Sequence, residues 1–139
     1  WHSNDLKRLM KMPKIHFMDT GVLHAVLQKR GGMTGNEFES AMVAEIYKQA
    51  KNSRLPVNFY HLHTVDGREV DLLLETADYF IAIEIKMTAN ATEVDVKHLK
   101  GLQGILTKPL LHSFVLSNDT KTKYFGDSIT AVHAGAFLS

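Results

Sequence analysis

The sequence predicts an α/β domain with the element order helix, three meander strands, helix, strand, and three observations carry that reading. Apolar residues at Phe38, Ala41, Met42, Ala44, Ile46 and Tyr47 recur at helical spacing. Three β-rich runs follow closely, the first two joined by Asp66-Gly67, the strongest short hairpin signal. A second helical stretch separates the third run from a fourth, so that connection is expected to be a parallel crossover. The expected core is αβββαβ, a mixed central sheet flanked by helices.

At the N-terminus, Leu6-Lys-Arg-Leu-Met10 and Lys14-Ile-His-Phe-Met18 flank Pro13, which predicts a short helix followed by an extended segment. Residues 1–18 are read as a linker or the tail of an upstream module, and residues 19–139 as the domain. The start Trp1-His2-Ser3 has neither an initiator Met nor the layout of a signal peptide, so the chain is expected to be a piece of a longer protein. Asp19 or Thr20 is placed to cap a helix bearing Val22, Leu23, Val26 and Leu27, which Gly31-Gly32 would end. The next helix runs from Asn36, its expected cap, to Lys51. Pro56 breaks the chain before a strand from Val57 to Val65, and Arg68 to Glu75 is the return strand.

A turn at Thr76-Ala-Asp78 feeds a strand from Tyr79 to Lys86, with Ile81, Ile83 and Ile85 on one face and Glu84 and Lys86 on the other. Val94, Leu99, Leu102, Ile105 and Leu106 then predict a helix bearing Lys97 and Lys100, ending before Pro109. Leu110 to Leu116 reads as a buried strand, and Lys121 to Ser139 as one or two short edge strands.

With 139 residues, 45% of them hydrophobic, the chain has enough apolar material for one core. Sixteen Lys+Arg against fifteen Asp+Glu leave a formal charge of +1, which excludes a general electrostatic pull toward nucleic acid; any polyanion contact must be local. The absence of cysteine excludes disulfides, thiolate zinc sites and cysteine nucleophiles, and fits a cytoplasmic setting. No apolar run has the roughly 20 residues that cross a bilayer, so no membrane partner is expected.

Chemistry enters with the acids on the second and third strands. Asp71 and Glu84 lie on expected antiparallel neighbours, so the register can bring the two carboxylates together. Paired carboxylates need a positive charge between them. A hard divalent cation such as Mg²⁺ or Mn²⁺ supplies it through oxygen ligands, and Lys86 projects toward the same pocket. Two acids and a lysine so arranged suit phosphodiester hydrolysis. Alternating charges on a solvated strand face give the same pattern, so the spacing is not specific by itself. The context adds weight, because Glu84 follows the apolar run Ile81-Ala-Ile83 and an acid-bearing helix precedes the meander.

The segments Lys14-Ile-His-Phe-Met-Asp-Thr-Gly21, Phe38-Glu39 with Val43-Ala-Glu45, Asp66-Gly-Arg-Glu-Val-Asp71 and Ile83-Glu-Ile-Lys86 resemble the C-terminal domain of a large group of prokaryotic AAA-type ATPases. That domain is similar to the PD-(D/E)xK nuclease superfamily, and the resemblance covers nearly the whole chain. It implies a restriction-endonuclease-like fold, with Asp71, Glu84 and Lys86 as the catalytic constellation and Asp71 and Glu84 on a metal ion. The carbonyl of Ile85 is a further candidate ligand, as is an acid of the first helix, Glu39 with Glu45 as the second choice. Val70 stands where the superfamily motif has proline, a position that shapes backbone and supplies no ligand. The resemblance also implies an N-terminal ATPase module. This chain has no Gly-x-x-x-x-Gly-Lys-[Ser/Thr], and Gly31-Gly-Met-Thr-Gly35 lacks the phosphate-binding lysine, so ATP binding would belong to sequence outside it.

Lys97 and Lys100 are candidate contacts for the phosphates of DNA or RNA. His61 and His63 share a strand face, but no third zinc ligand is evident. Two function classes follow: a metal-dependent nuclease module beside an ATPase, or a non-catalytic scaffold of the same fold that contacts the ATPase or a partner protein.

Overall fold

Backbone pairing, more than helix packing, organises this chain. The structure, a computed structural model, describes residues 7–11 and 34–139. Strands β1 (Lys7–Lys11), β2 (Asn58–Thr64), β3 (Glu69–Glu75), β4 (Phe80–Ile85), β5 (Leu110–Ser117), β6 (Lys123–Tyr124) and β7 (Ile129–His133) form one sheet of order β1-β2-β3-β4-β5-β7-β6. The first four strands are antiparallel neighbours, β4 to β5 and β5 to β7 are parallel, and β6 returns antiparallel on β7. The predicted mixed α/β sheet with a three-strand meander and a parallel fourth strand is therefore present.

Helix α1 (Gly35–Asn52) is capped by Thr34, two residues before the expected cap Asn36. The Thr34 hydroxyl accepts the Glu37 N–H at 3.2 Å, and Glu37 Oε2 accepts the Thr34 N–H at 2.7 Å, a reciprocal box that outcompetes a lone Asn. Its apolar stripe of Phe38, Val43, Ile46 and Ala50 covers one sheet face, against Phe59, Leu72, Ile83, Ile85 and Leu116. Ile81, Ile83 and Ile85 share that layer as expected, while Phe80 and Ala82 point to the opposite one. A short C-terminal helix, α2 (Ala134–Leu138), closes the α1 side with Phe137 and Leu138.

Other expectations are corrected. Residues 7–11 form a strand, not a helix: Lys, Arg, Leu and Met each favour helix, but a stretch this short gains little from it, and pairing with β2 satisfies backbone groups that β2 would otherwise leave open. The predicted helix around Val22 to Leu27 lies outside the described residues. The second predicted helix is replaced by two 3₁₀ turns, Glu93–Val96 and Leu102–Ile105. Gly101 sits between them at φ 67°, a left-handed conformation that an α-helix does not tolerate, and Gly104 weakens helix further. The turns still cover the second sheet face, with Val96, Leu99 and Leu102 against Leu62, Val70, Leu73, Val115 and Ala131. Finally, β7 is no edge strand but lies between β5 and β6, and it carries the buried Ile129 and Ala131.

Candidate functional site

The β3–β4 ladder pairs Leu72 with Ile83 and then stops. The next residues on the two strands are Asp71 and Glu84, and their carboxylates take over the bonding. The Asp71 N–H donates to Glu84 Oε1 at 3.0 Å, and the Ile85 N–H donates to Asp71 Oδ2 at 2.8 Å. On its other side β3 carries an extra residue. Tyr60 pairs with Leu73 and Leu62 with Val70, so Asp71 and Leu72 together oppose His61 in a β-bulge. The bulge resets the alternation: Val70 and Leu73 both lie under the 3₁₀ turns, while Leu72 lies under α1. Asp71 is thereby carried to the α1 side, where it acts electrostatically on Glu39.

Lys86 follows β4 directly, and its N–H donates to the Leu116 carbonyl at 2.9 Å. Its Nζ lies 3.5 Å from Glu84 Oε2, half-exposed above a carboxylate that is almost fully buried. Because the Lys86 N–H turns to β5, the N–H of Ile85 turns to β3, and in an extended strand its carbonyl turns the same way.

Three carboxyls in this corner sit above their ordinary range. Burial is the first cause for Glu84 and the negative charge of Asp71 the second, which together push it up to about 8. Asp71 is raised by burial, against the Ile85 N–H and the charges of Lys86 and His61. Glu39 is raised by burial and then by Asp71, against His61 and Lys86. Lys86 thus favours the charged form of all three, and His61 that of two. The corner holds more buried acid than its cations offset.

Of the residues singled out from sequence, Asp71, Glu84, Ile85 and Lys86 come together, and Glu39 lies within electrostatic reach of Asp71 and Lys86. Glu45 faces elsewhere, with Lys48 at 3.7 Å and Gln49 at 3.2 Å, as the roughly 100° step of a helix requires for a residue six positions from Glu39. Lys97 is exposed on the turn after Val96. Lys100 is engaged within the domain: its Nζ donates to the Phe125 carbonyl and lies 3.9 Å from Glu93. His63 pairs with Glu69 at 3.6 Å, so the two strand histidines do not act together. Sequence reasoning passed over His61 as a site residue, and the bulge that aims Asp71 toward its layer has no local sequence signal.

The donor set is made of hard oxygens and fits a hard divalent cation. Burial disfavours the charged carboxylates, so a bound cation would offset what Lys86 alone does not. Among the described residues no three His, Asp or Glu side chains are already gathered around one point, so the fit is a carboxylate pair with a carbonyl beside it and not a preformed cage.

Fold and site together define a mixed α/β domain with a buried acid pair and a lysine at the end of its central strands. A family model described as a domain of unknown function, DUF4143, matches residues 34–137, and the chain belongs to that family. Comparison with curated proteins and with solved structures gave no match. No helix among the described residues is long and apolar enough to cross a membrane.

Proposed function

We propose that this domain is a metal-dependent nuclease module that hydrolyses phosphodiester bonds in DNA or RNA beside an N-terminal AAA-type ATPase module in a cytoplasmic setting. The observation that carries the proposal is the end of the β3–β4 ladder, where Asp71 and Glu84 each accept a backbone N–H of the other's strand and the Lys86 ammonium lies 3.5 Å from Glu84. In this reading Asp71 and Glu84 would hold Mg²⁺ or Mn²⁺, with the Ile85 carbonyl and Glu39 completing the oxygen set. When bound, such a cation supplies a Lewis acid for the phosphate and a water more acidic than bulk. Lys86 orients the attacking water or meets charge developing on the phosphate oxygens. Lys97, exposed on the adjoining turn, is a backbone phosphate contact; Lys100 reaches a phosphate only by leaving Glu93 and Phe125.

One observation favours a second reading. The two carboxylates also complete the β3–β4 ladder, so the same residues can serve as the structural splice of a non-catalytic scaffold. Calorimetric titration of Mn²⁺ into the wild-type chain and Asp71→Ala separates the two. Saturable binding that disappears in Asp71→Ala supports the metal site, and no binding to either protein supports the scaffold.

A further inference from the structure

His61 stands opposite Asp71 across the β2–β3 pairing. It lies on β2 between Tyr60 and Leu62, whose side chains face the layer of the 3₁₀ turns, so strand alternation sends His61 to the α1 side with Phe59. There it stands opposite the Asp71–Leu72 bulge, and its ring acts electrostatically on both Asp71 and Glu39. The ring is half-buried, and among the described residues neither of its nitrogens has a hydrogen-bond partner. His63, two residues on, is taken by Glu69. Among the described residues the ring thus keeps its bonding capacity open beside Asp71 and Glu39, where it can meet a ligand at this corner.

The chemistry of that ligand follows from what the corner lacks. The Lys86 ammonium is already paired with Glu84, and the two non-bridging oxygens of a backbone phosphate together offer more acceptor sites than its remaining N–H groups fill. An imidazole ring carries at least one N–H in any of its protonation states, so His61 supplies a second donor. We propose that His61 is a substrate-positioning residue, donating a hydrogen bond to a backbone phosphate oxygen of a nucleic acid held at the Asp71–Glu84–Lys86 corner. This rests on the nuclease reading and goes beyond it by naming a residue and a contact.

The test uses the whole chain, a fluorescein-labelled oligonucleotide as DNA and as RNA, and Ca²⁺ in place of Mg²⁺ to hold binding without turnover. His61→Met removes the donor at similar bulk, and His61→Gln keeps a side-chain N–H. Should the Met side chain disturb the fold, His61→Ala serves the same comparison. Anisotropy is expected to show oligonucleotide affinity falling about three- to tenfold in His61→Met and largely recovering in His61→Gln, with calorimetric Mn²⁺ affinity unchanged. Equal affinity for wild type and His61→Met overturns the positioning role while leaving the nuclease reading standing. Loss of Mn²⁺ binding in His61→Met also overturns it, because the residue then acts on the metal. A wild-type chain that binds neither Mn²⁺ nor oligonucleotide removes both proposals together.

Discussion

Asp71 and Glu84 are bound to each other's strands: Glu84 Oε1 accepts the Asp71 N–H at 3.0 Å while Asp71 Oδ2 accepts the N–H of Ile85, the residue after Glu84. The two acids that lie next to one another thus also replace the last rungs of a ladder. Any account of their charge is therefore also an account of how well the β3–β4 end holds together.

The first consequence is a pH dependence of stability. Glu84 ionises near 4.5 in an unfolded chain and near 8 in the folded one. Between those values the folded state binds more protons than the unfolded state, so stability falls as pH rises. The contribution is fully present below about 4.5 and lost above about 8, on the order of a few kcal/mol for a group so buried. Urea melts of the metal-free chain from pH 5 to 9 are expected to show this decline, and Glu84→Gln, which keeps the carbonyl acceptor and removes the charge, is expected to flatten it. A wild-type profile that rises across this range would contradict the assignment.

Glu84→Ala asks a different question. It leaves the half-buried Asp71 N–H without its acceptor, which costs about 1–3 kcal/mol. At pH 5, where the carboxyl is neutral, Glu84→Ala is expected to be less stable than Glu84→Gln by that amount in denaturant melts. Equal stabilities would mean that the strand splice contributes nothing.

The residues legible in the sequence were those whose information is local. Asp66-Gly67 announces its hairpin, alternation places Glu84 opposite the isoleucines, and Pro109 ends the stretch before β5. The rest depends on partners far along the chain. Lys7–Lys11 becomes a strand because β2 offers a free edge 50 residues on, which no five-residue window contains. The choice of Glu39 over Glu45 needed the helix phase relative to Asp71, and that phase depends on a bulge set by how β2 and β3 pair. The apolar spacing from Val94 to Leu106 identified a layer correctly, but the glycines decided its conformation.

Lys86 separates catalysis from structure. Its side chain is 43% exposed, so its pairing with Glu84 contributes about 0–1 kcal/mol to folding. Lys86→Met is therefore expected to leave the unfolding midpoint nearly unchanged. Under the nuclease reading it abolishes cleavage in Mn²⁺ screens of DNA and RNA while calorimetric Mn²⁺ binding persists. A large loss of stability would instead mark Lys86 as part of a structural ion pair and favour the scaffold.

Gly101 tests why the second predicted helix is two turns. A Cβ at this position would meet nothing within 4 Å, so a substitution is strained by backbone conformation alone, at φ 67°. Gly101→Ala is expected to cost about 1–2 kcal/mol, and Gly101→Asn less, because a short polar side chain is tolerated in the left-handed region. The neighbouring backbone gives the change reach: the carbonyls of His98 and Lys100 accept Arg68 Nη1 at 3.4 and 3.0 Å, fixing the turn against the hairpin that leads into Asp71. Ala is thus expected to loosen the Arg68 contact along with the turn, seen as faster amide exchange at Leu99 to Leu102 and at Glu69. Equal stability of the Gly, Asn and Ala proteins would show that residues 93–105 can adopt a regular helix, and that the glycine is not what prevents it.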